Sequence, residues 1–126
     1  MSFRVLVVED DPDMLETLGR LLGRFGYKCL TATSGPEGID AIEIESPDLV
    51  VTDLHLPGTD GVAVMRSARA HVPAIPVVLM SAYPTLKSQG LARQDRALVH
   101  LAKPFTNTNF LAAVQHALAA GSSSTG

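Results

Sequence analysis

Leu49-Val50-Val51-Thr52-Asp53, continued by Leu54-His55-Leu56-Pro57-Gly58, is the stretch that decides how this chain folds. Four apolar or β-branched residues run into a carboxylate, and a Pro-Gly turn follows. A run so short and so apolar reads as a strand covered on both faces. Three more runs have the same form. Val5-Leu6-Val7-Val8 ends in Glu9-Asp10-Asp11, Val77-Val78-Leu79-Met80 ends in Ser81, and Leu98 to Ala102 ends in Lys103-Pro104-Phe105. In an open parallel sheet the C-terminal ends of the strands meet at one edge, where ligands bind. That edge collects carboxylates, a hydroxyl and an ammonium, a set suited to a hard cation and a phosphoryl group.

Helical patterns separate the runs. Asp11 and Pro12 open a helix over 12–25, with Met14, Leu15, Leu18, Leu21, Leu22 and Phe25 on one face and Gly26 as its stop. Residues 27–32 read as a strand. Ser34-Gly35-Pro36-Glu37 matches a capping box for a helix to about residue 45. After the strand at 48–53, Asp60-Gly61 starts a helix to about 71, with Val62, Met65 and Ala68 inward. Strands follow at 76–81 and 97–102. Between them, Pro84, Gly90 and few apolar anchors allow only a short, weakly stable helix over 84–96. Thr106 or Asn107 caps a last helix to about 120, with Phe110, Leu111, Val114 and Leu118 inward, and 121–126 reads as a flexible tail or linker. The expectation is an α/β doubly wound sheet of five parallel strands with five helices, one domain over 1–120.

The 126 residues suffice for one core without staples. A net charge of −3 with no Lys/Arg run gives no electrostatic footprint for nucleic acid. Cys29 has no internal partner and reads as a buried thiol. No apolar stretch approaches a membrane span and nothing resembles a signal peptide, so a cytoplasmic location is expected. The four histidines lack zinc-ligand spacing, and no Gly-rich phosphate loop or nucleophile elbow occurs.

From Glu9-Asp10 through Asp53 and Ser81 to Lys103-Pro104, over roughly residues 3–119, the chain resembles a response-regulator receiver domain of bacterial two-component signalling, of the chemotaxis-regulator kind. The resemblance implies the flavodoxin-like strand order 2-1-3-4-5, for which a member of that family is a standard example. It implies that Asp53 is the phosphoacceptor, since a carboxylate exposed at a strand end can attack a phosphohistidine and form an acyl phosphate. Asp10 and Glu9 correspond to the acidic pair that binds Mg²⁺, or Mn²⁺ in its place, together with Asp53 and the backbone carbonyl of His55. Asp10 is expected as the direct ligand and Glu9 partly through water. Two carboxylates about 4 Å apart repel by on the order of 4 kcal/mol at an effective dielectric near 20, which a cation removes. Asp11 is expected to cap its helix rather than touch metal.

By the same resemblance Ser81 is the switch hydroxyl and Lys103 the ammonium that pairs with phosphoryl oxygens. His55 and Tyr83, two residues beyond Asp53 and Ser81, are expected to set the lifetime of the phosphoryl group. His100 departs from the family, which often carries Tyr or Phe three residues before the lysine. A histidine there is either a solvent-facing residue of an edge strand or a switch residue that titrates.

The implied function is a switch phosphorylated on Asp53 by a histidine kinase or phosphotransfer protein, signalling through the face formed by about 84–120 to an output partner or an effector domain outside this sequence. Homodimerisation through the last helix and strand is left open. Such a domain is not an enzyme beyond its own phosphorylation and dephosphorylation. A phosphorylation-independent binding scaffold of the same fold is the alternative. A Mg²⁺-dependent phosphatase of the haloacid-dehalogenase kind would need a second Asp where His55 stands.

Overall fold

The computed structural model describes residues 2–58, 60–82 and 95–123. Five strands, β1 (Arg4–Val8), β2 (Lys28–Ala32), β3 (Leu49–Asp53), β4 (Val77–Ser81) and β5 (Leu98–Ala102), form one parallel sheet. Their order is β2-β1-β3-β4-β5, as the resemblance implies. Four helices are described: α1 (Pro12–Arg24), α2 (Gly35–Glu45), α3 (Gly61–Ala70) and α4 (Asn107–Ser123). The fifth helix, expected over 84–96, lies outside the described residues except for Asp95 and Arg96, where a turn leads into β5.

Side chains of a strand alternate between faces, and β1 shows the consequence. Val5 and Val7 join Leu18 and Leu22 of α1 and Phe110 and Val114 of α4 on one face. Leu6 and Val8 join Ile42 of α2 and Val64, Met65 and Ala68 of α3 on the other. Both faces of β3 and β4 are therefore covered, which is why their sequences are apolar without alternation.

The helix starts follow their capping residues. Asp11 accepts from the Asp13 and Met14 amides ahead of Pro12, and Asp60 Oδ1 accepts from Ala63 N at 3.0 Å. Thr106 Oγ1 accepts from Asn109 N, so Thr106 caps α4. Ser34 Oγ accepts from Glu37 N, but Glu37 returns its carboxylate to the Thr33 hydroxyl at 3.1 Å. Only half of the expected capping box forms. Gly26, at φ +84°, ends α1 in a conformation that favours glycine.

Two expectations need correction. Phe25 does not complete the apolar face of α1. It is the C-cap, where the chain leaves helical geometry, and it is 56% exposed. The last helix runs through Ser123, so the first three residues assigned to the tail are helical.

Phe110 is fully buried and stacks on Phe105 with ring centroids 5.8 Å apart. Phe110→Ala should cost about 3–5 kcal/mol by urea unfolding, and Phe25→Ala no more than ~1 kcal/mol. Similar costs for the two variants would contradict this assignment of the core.

Candidate functional site

Three strands deliver the site. Glu9 and Asp10 follow β1, Asp53 ends β3, and Lys103 follows β5. Backbone bonds carry the ladder past the strand ends, from Glu9 N to Ala32 O at 3.0 Å, Leu54 N to Met80 O at 2.8 Å and Lys103 N to Ser81 O at 2.8 Å. The functional residues thus sit on backbone as constrained as the sheet.

Lys103 Nζ lies 2.7 Å from Asp53 Oδ2 and 2.9 Å from Glu9 Oε1. The second oxygen of each carboxylate accepts a main-chain N–H. His55 N donates to Asp53 Oδ1 and Asp10 N donates to Glu9 Oε2, both at 3.0 Å. Glu9 is 1% exposed and Asp53 7%, while Asp10 and His55 face solvent. Asp53 is therefore less open than the sequence implies, because Lys103 lies against it. Glu9, Asp10 and Asp53 each offer an oxygen, and these atoms lie within 4.8 Å of one another. An all-carboxylate donor set, buried on one side and open at Asp10, fits a hard divalent cation that keeps part of its water.

The electrostatics separate the two buried carboxyls. Burial pushes Glu9 up to about 7; the Lys103 bond opposes this and the neighbouring Asp53 adds to it. Burial also works against an ionised Asp53, but the Lys103 bond, the His55 N–H and Glu9 outweigh it and hold that carboxyl below the usual range. Burial disfavours the Lys103 ammonium too, yet Asp53 and Glu9 overcome it and raise its pKa. A proton shared by this cluster therefore rests on Glu9 and leaves Asp53 the anionic member.

Ser81 is buried at the end of β4, beside β5 through the Ser81–Ala102 register. Asp11 caps α1, as expected. The Lys103–Pro104 peptide is cis. Tyr83 lies outside the described residues. His100 is half-buried on β5 and not a solvent-facing edge residue. Its register partner is Leu79, and its Nε2 is buried with no hydrogen-bond partner among the described residues. Burial lowers its pKa, so the ring is neutral near pH 7. Cys29 is partly buried, its thiol pushed up by that burial. The sequence did not single out Thr52, whose buried hydroxyl donates to Asp53 O at 3.0 Å. No motif marks a strand threonine for that task. Among the described residues, no helix is long and apolar enough to cross a membrane.

Comparison with known proteins identifies the family and the fold. A family model for the response regulator receiver domain matches residues 5–115. The DNA-binding transcriptional regulator NtrC of Klebsiella pneumoniae is 34% identical over 112 residues, 89% of this chain and 24% of that protein. The transcriptional regulatory protein ZraR of Escherichia coli K12 is 35% identical over 115 residues, 91% of this chain and 26% of that protein. The chain spans about a quarter of the length of these relatives. A response regulator receiver protein from Sinorhizobium medicae superposes with a TM-score of 0.85 at 28% identity, covering 95% of this chain and 97% of that one.

The Glu9 carboxyl holds its proton more tightly in the folded chain than in the unfolded one. Its contribution to stability is full below about pH 4.5 and is lost as pH rises through about 7. In chelator-treated protein, Glu9→Gln should escape that loss. Its stability relative to wild type should rise by roughly 1–3 kcal/mol between about pH 5 and about pH 8 in urea titrations. A pH-independent difference between the two proteins would refute the assignment of the proton to Glu9.

Proposed function

The chain belongs to the response regulator receiver domain family of two-component systems, and from that premise we propose that it is a phosphorylation-activated switch with Asp53 as the phosphoacceptor. The observation that carries the reading is the Lys103 ammonium between Asp53 Oδ2 and Glu9 Oε1, with Asp10 in the same carboxylate cluster. A binding scaffold has no need of two buried carboxylates on one ammonium, one of which, Glu9, ionises against its own folding.

The donor is a phosphohistidine on a histidine kinase or phosphotransfer protein. A carboxylate oxygen of Asp53 attacks phosphorus, an O–P bond forms, the P–N bond breaks, and the electron pair returns to the imidazole of the donor. Lys103 already touches the acceptor and meets the phosphoryl oxygens as they arrive, while the His55 N–H keeps the carboxylate oriented. Asp10, Asp53, Glu9 and the His55 carbonyl would hold Mg²⁺, which would supply fixed positive charge beside the transferring group. The catalysis is positioning and electrostatics, exerted by the domain on its own phosphorylation and hydrolysis. His55 and Tyr83 govern water at the acyl phosphate.

The added charge draws the Ser81 hydroxyl, and the face that includes β5 and α4 shifts its population toward a form with different partner affinity. His100 lies in that face with a buried nitrogen that has no hydrogen-bond partner among the described residues, and it takes the place of the family's aromatic in the coupling. The output is an effector domain or separate protein that distinguishes the two forms.

Intact-mass measurement after incubation with acetyl phosphate tests the reading. Wild type with Mg²⁺ should gain a phosphoryl adduct, and both Asp53→Asn and chelator-treated wild type should gain none. No adduct on folded, Mg²⁺-loaded wild type, with rapid hydrolysis excluded by time course, would favour the phosphorylation-independent scaffold.

A further inference from the structure

We propose that Gly61 is a positioning residue for the phosphoacceptor, its bare Cα being the seat against which the Asp53–Leu54 backbone is set. The inference deepens the receiver reading and rests on it. Gly61 begins α3, and sequence alone marks it only as the residue after a helix cap. A Cβ on Gly61 would lie 2.0 Å from the carbonyl oxygen of Asp53, and 2.8 Å from both Asp53 C and Leu54 Cα. All three are main-chain atoms, so no change of rotamer relieves the contact. Gly38 makes the contrast, because its Cβ would meet only side-chain atoms of Val8, the nearest at 2.9 Å, and no main-chain atom among its three nearest. Gly61 also differs from Gly26 and Gly58, whose positive φ angles favour glycine by conformation. At Gly61 the requirement is close approach.

The approach is held from both sides. Gly61 N donates to Leu54 O at 2.7 Å, Leu54 N donates to Met80 O at 2.8 Å, and the Thr52 hydroxyl donates to Asp53 O at 3.0 Å. Behind Gly61, α3 buries Val62, Val64, Met65 and Ala68, so the helix cannot simply retreat. Opening a 2.0 Å contact to an ordinary one moves the Asp53–Leu54 peptide by ~1 Å or more. The next amide, His55 N, is bonded to Asp53 Oδ1. The displacement therefore reaches the acceptor carboxylate and the His55 carbonyl together. A misplacement of about 1 Å in a reacting group costs on the order of 100-fold in rate.

The test compares Gly61→Ala with Asp60→Ala. The second variant removes the cap of α3 but adds no atom against Asp53. Gly61→Ala should weaken Mg²⁺ binding by calorimetry, and slow adduct formation from acetyl phosphate, by about tenfold or more. Its His55 amide resonance should also move in chelator-treated protein. Asp60→Ala should lose stability, keep both functions within about twofold of wild type and leave that resonance in place. A folded Gly61→Ala with wild-type Mg²⁺ affinity and an unmoved His55 amide would overturn the proposal, as would an equal functional loss in Asp60→Ala. A wild type that forms no adduct would count against the receiver reading, and the metal-free His55 amide would still decide the role of Gly61. Should Gly61→Ala fail to fold, hydrogen exchange in wild type decides instead. A change of several-fold in Gly61 amide exchange on adding Mg²⁺ supports the coupling, and an unchanged rate overturns it.

Discussion

The clamp of Lys103 between Asp53 and Glu9 is the interaction on which the site depends. It joins residues 94 and 50 positions apart in the chain and closes the edge where β1, β3 and β5 end. One ammonium faces two buried carboxylates, with Asp10 nearby, so the cluster holds more negative charge than its own cation offsets. Burying charge is costly unless it is paired and hydrogen-bonded. Here every oxygen of the two buried carboxylates has a donor, two from Lys103 and two from the main chain. The excess is resolved by a proton on Glu9 or by a further cation, and either leaves Asp53 ionised. The chemistry of Asp53 therefore follows from the burial of Glu9 as much as from its own surroundings.

That arrangement is available only because the sheet is parallel and its connections return each strand in the same direction. Strand C-terminal ends and helix N-terminal ends then share one side of the molecule, where exposed N–H groups favour negative charge. The opposite side receives the helix C-termini, and it carries Phe3, Phe25, Ile44 and Val72, the exposed large hydrophobics among the described residues. The buried ion cluster and the exposed apolar residues thereby lie at opposite ends of the strands. The ladder bonds beyond the strands hold Glu9, Leu54 and Lys103 to backbone geometry, so the site can respond through side chains without loss of its frame.

The strands and helices were legible because their signals are local. Apolar runs mark β1, β3 and β4 within a residue or two, and Asp11, Ser34, Asp60 and Thr106 mark helix starts through oxygen acceptors one turn from unpaired amides. The meeting of Asp53, Asp10 and Lys103 was legible because the C-terminal ends of parallel strands share one edge of the sheet. Other features depend on distances that no local pattern encodes. Periodicity counts Phe25 as inward because it registers angle around the helix axis, not where the helix stops. The buried Nε2 of His100 depends on what covers β5, and an edge strand has no covering that sequence alone can assign. The demand at Gly61 arises where a helix start meets the carbonyl of a residue eight positions earlier.

Gly61 and Lys103 act on Asp53 from opposite directions and by different physics. Lys103 acts through charge on the side chain, at 2.7 Å from Oδ2. Gly61 acts through excluded volume on the main chain, where the same residue's carbonyl lies against its Cα. In the proposed phosphorylation the charge interaction can be exchanged, because an arriving phosphoryl group would offer the ammonium other oxygens. The steric one cannot, because backbone atoms have nowhere to turn. The proposed switch needs both properties at Asp53. The carboxylate must be able to trade partners when it is modified, and its peptide must stay in place so that the trade is felt by Lys103 and Ser81 instead of being absorbed in a loop. The close-packed junction of β3 and α3 provides the fixed half of that requirement, and the buried ion cluster provides the exchangeable half.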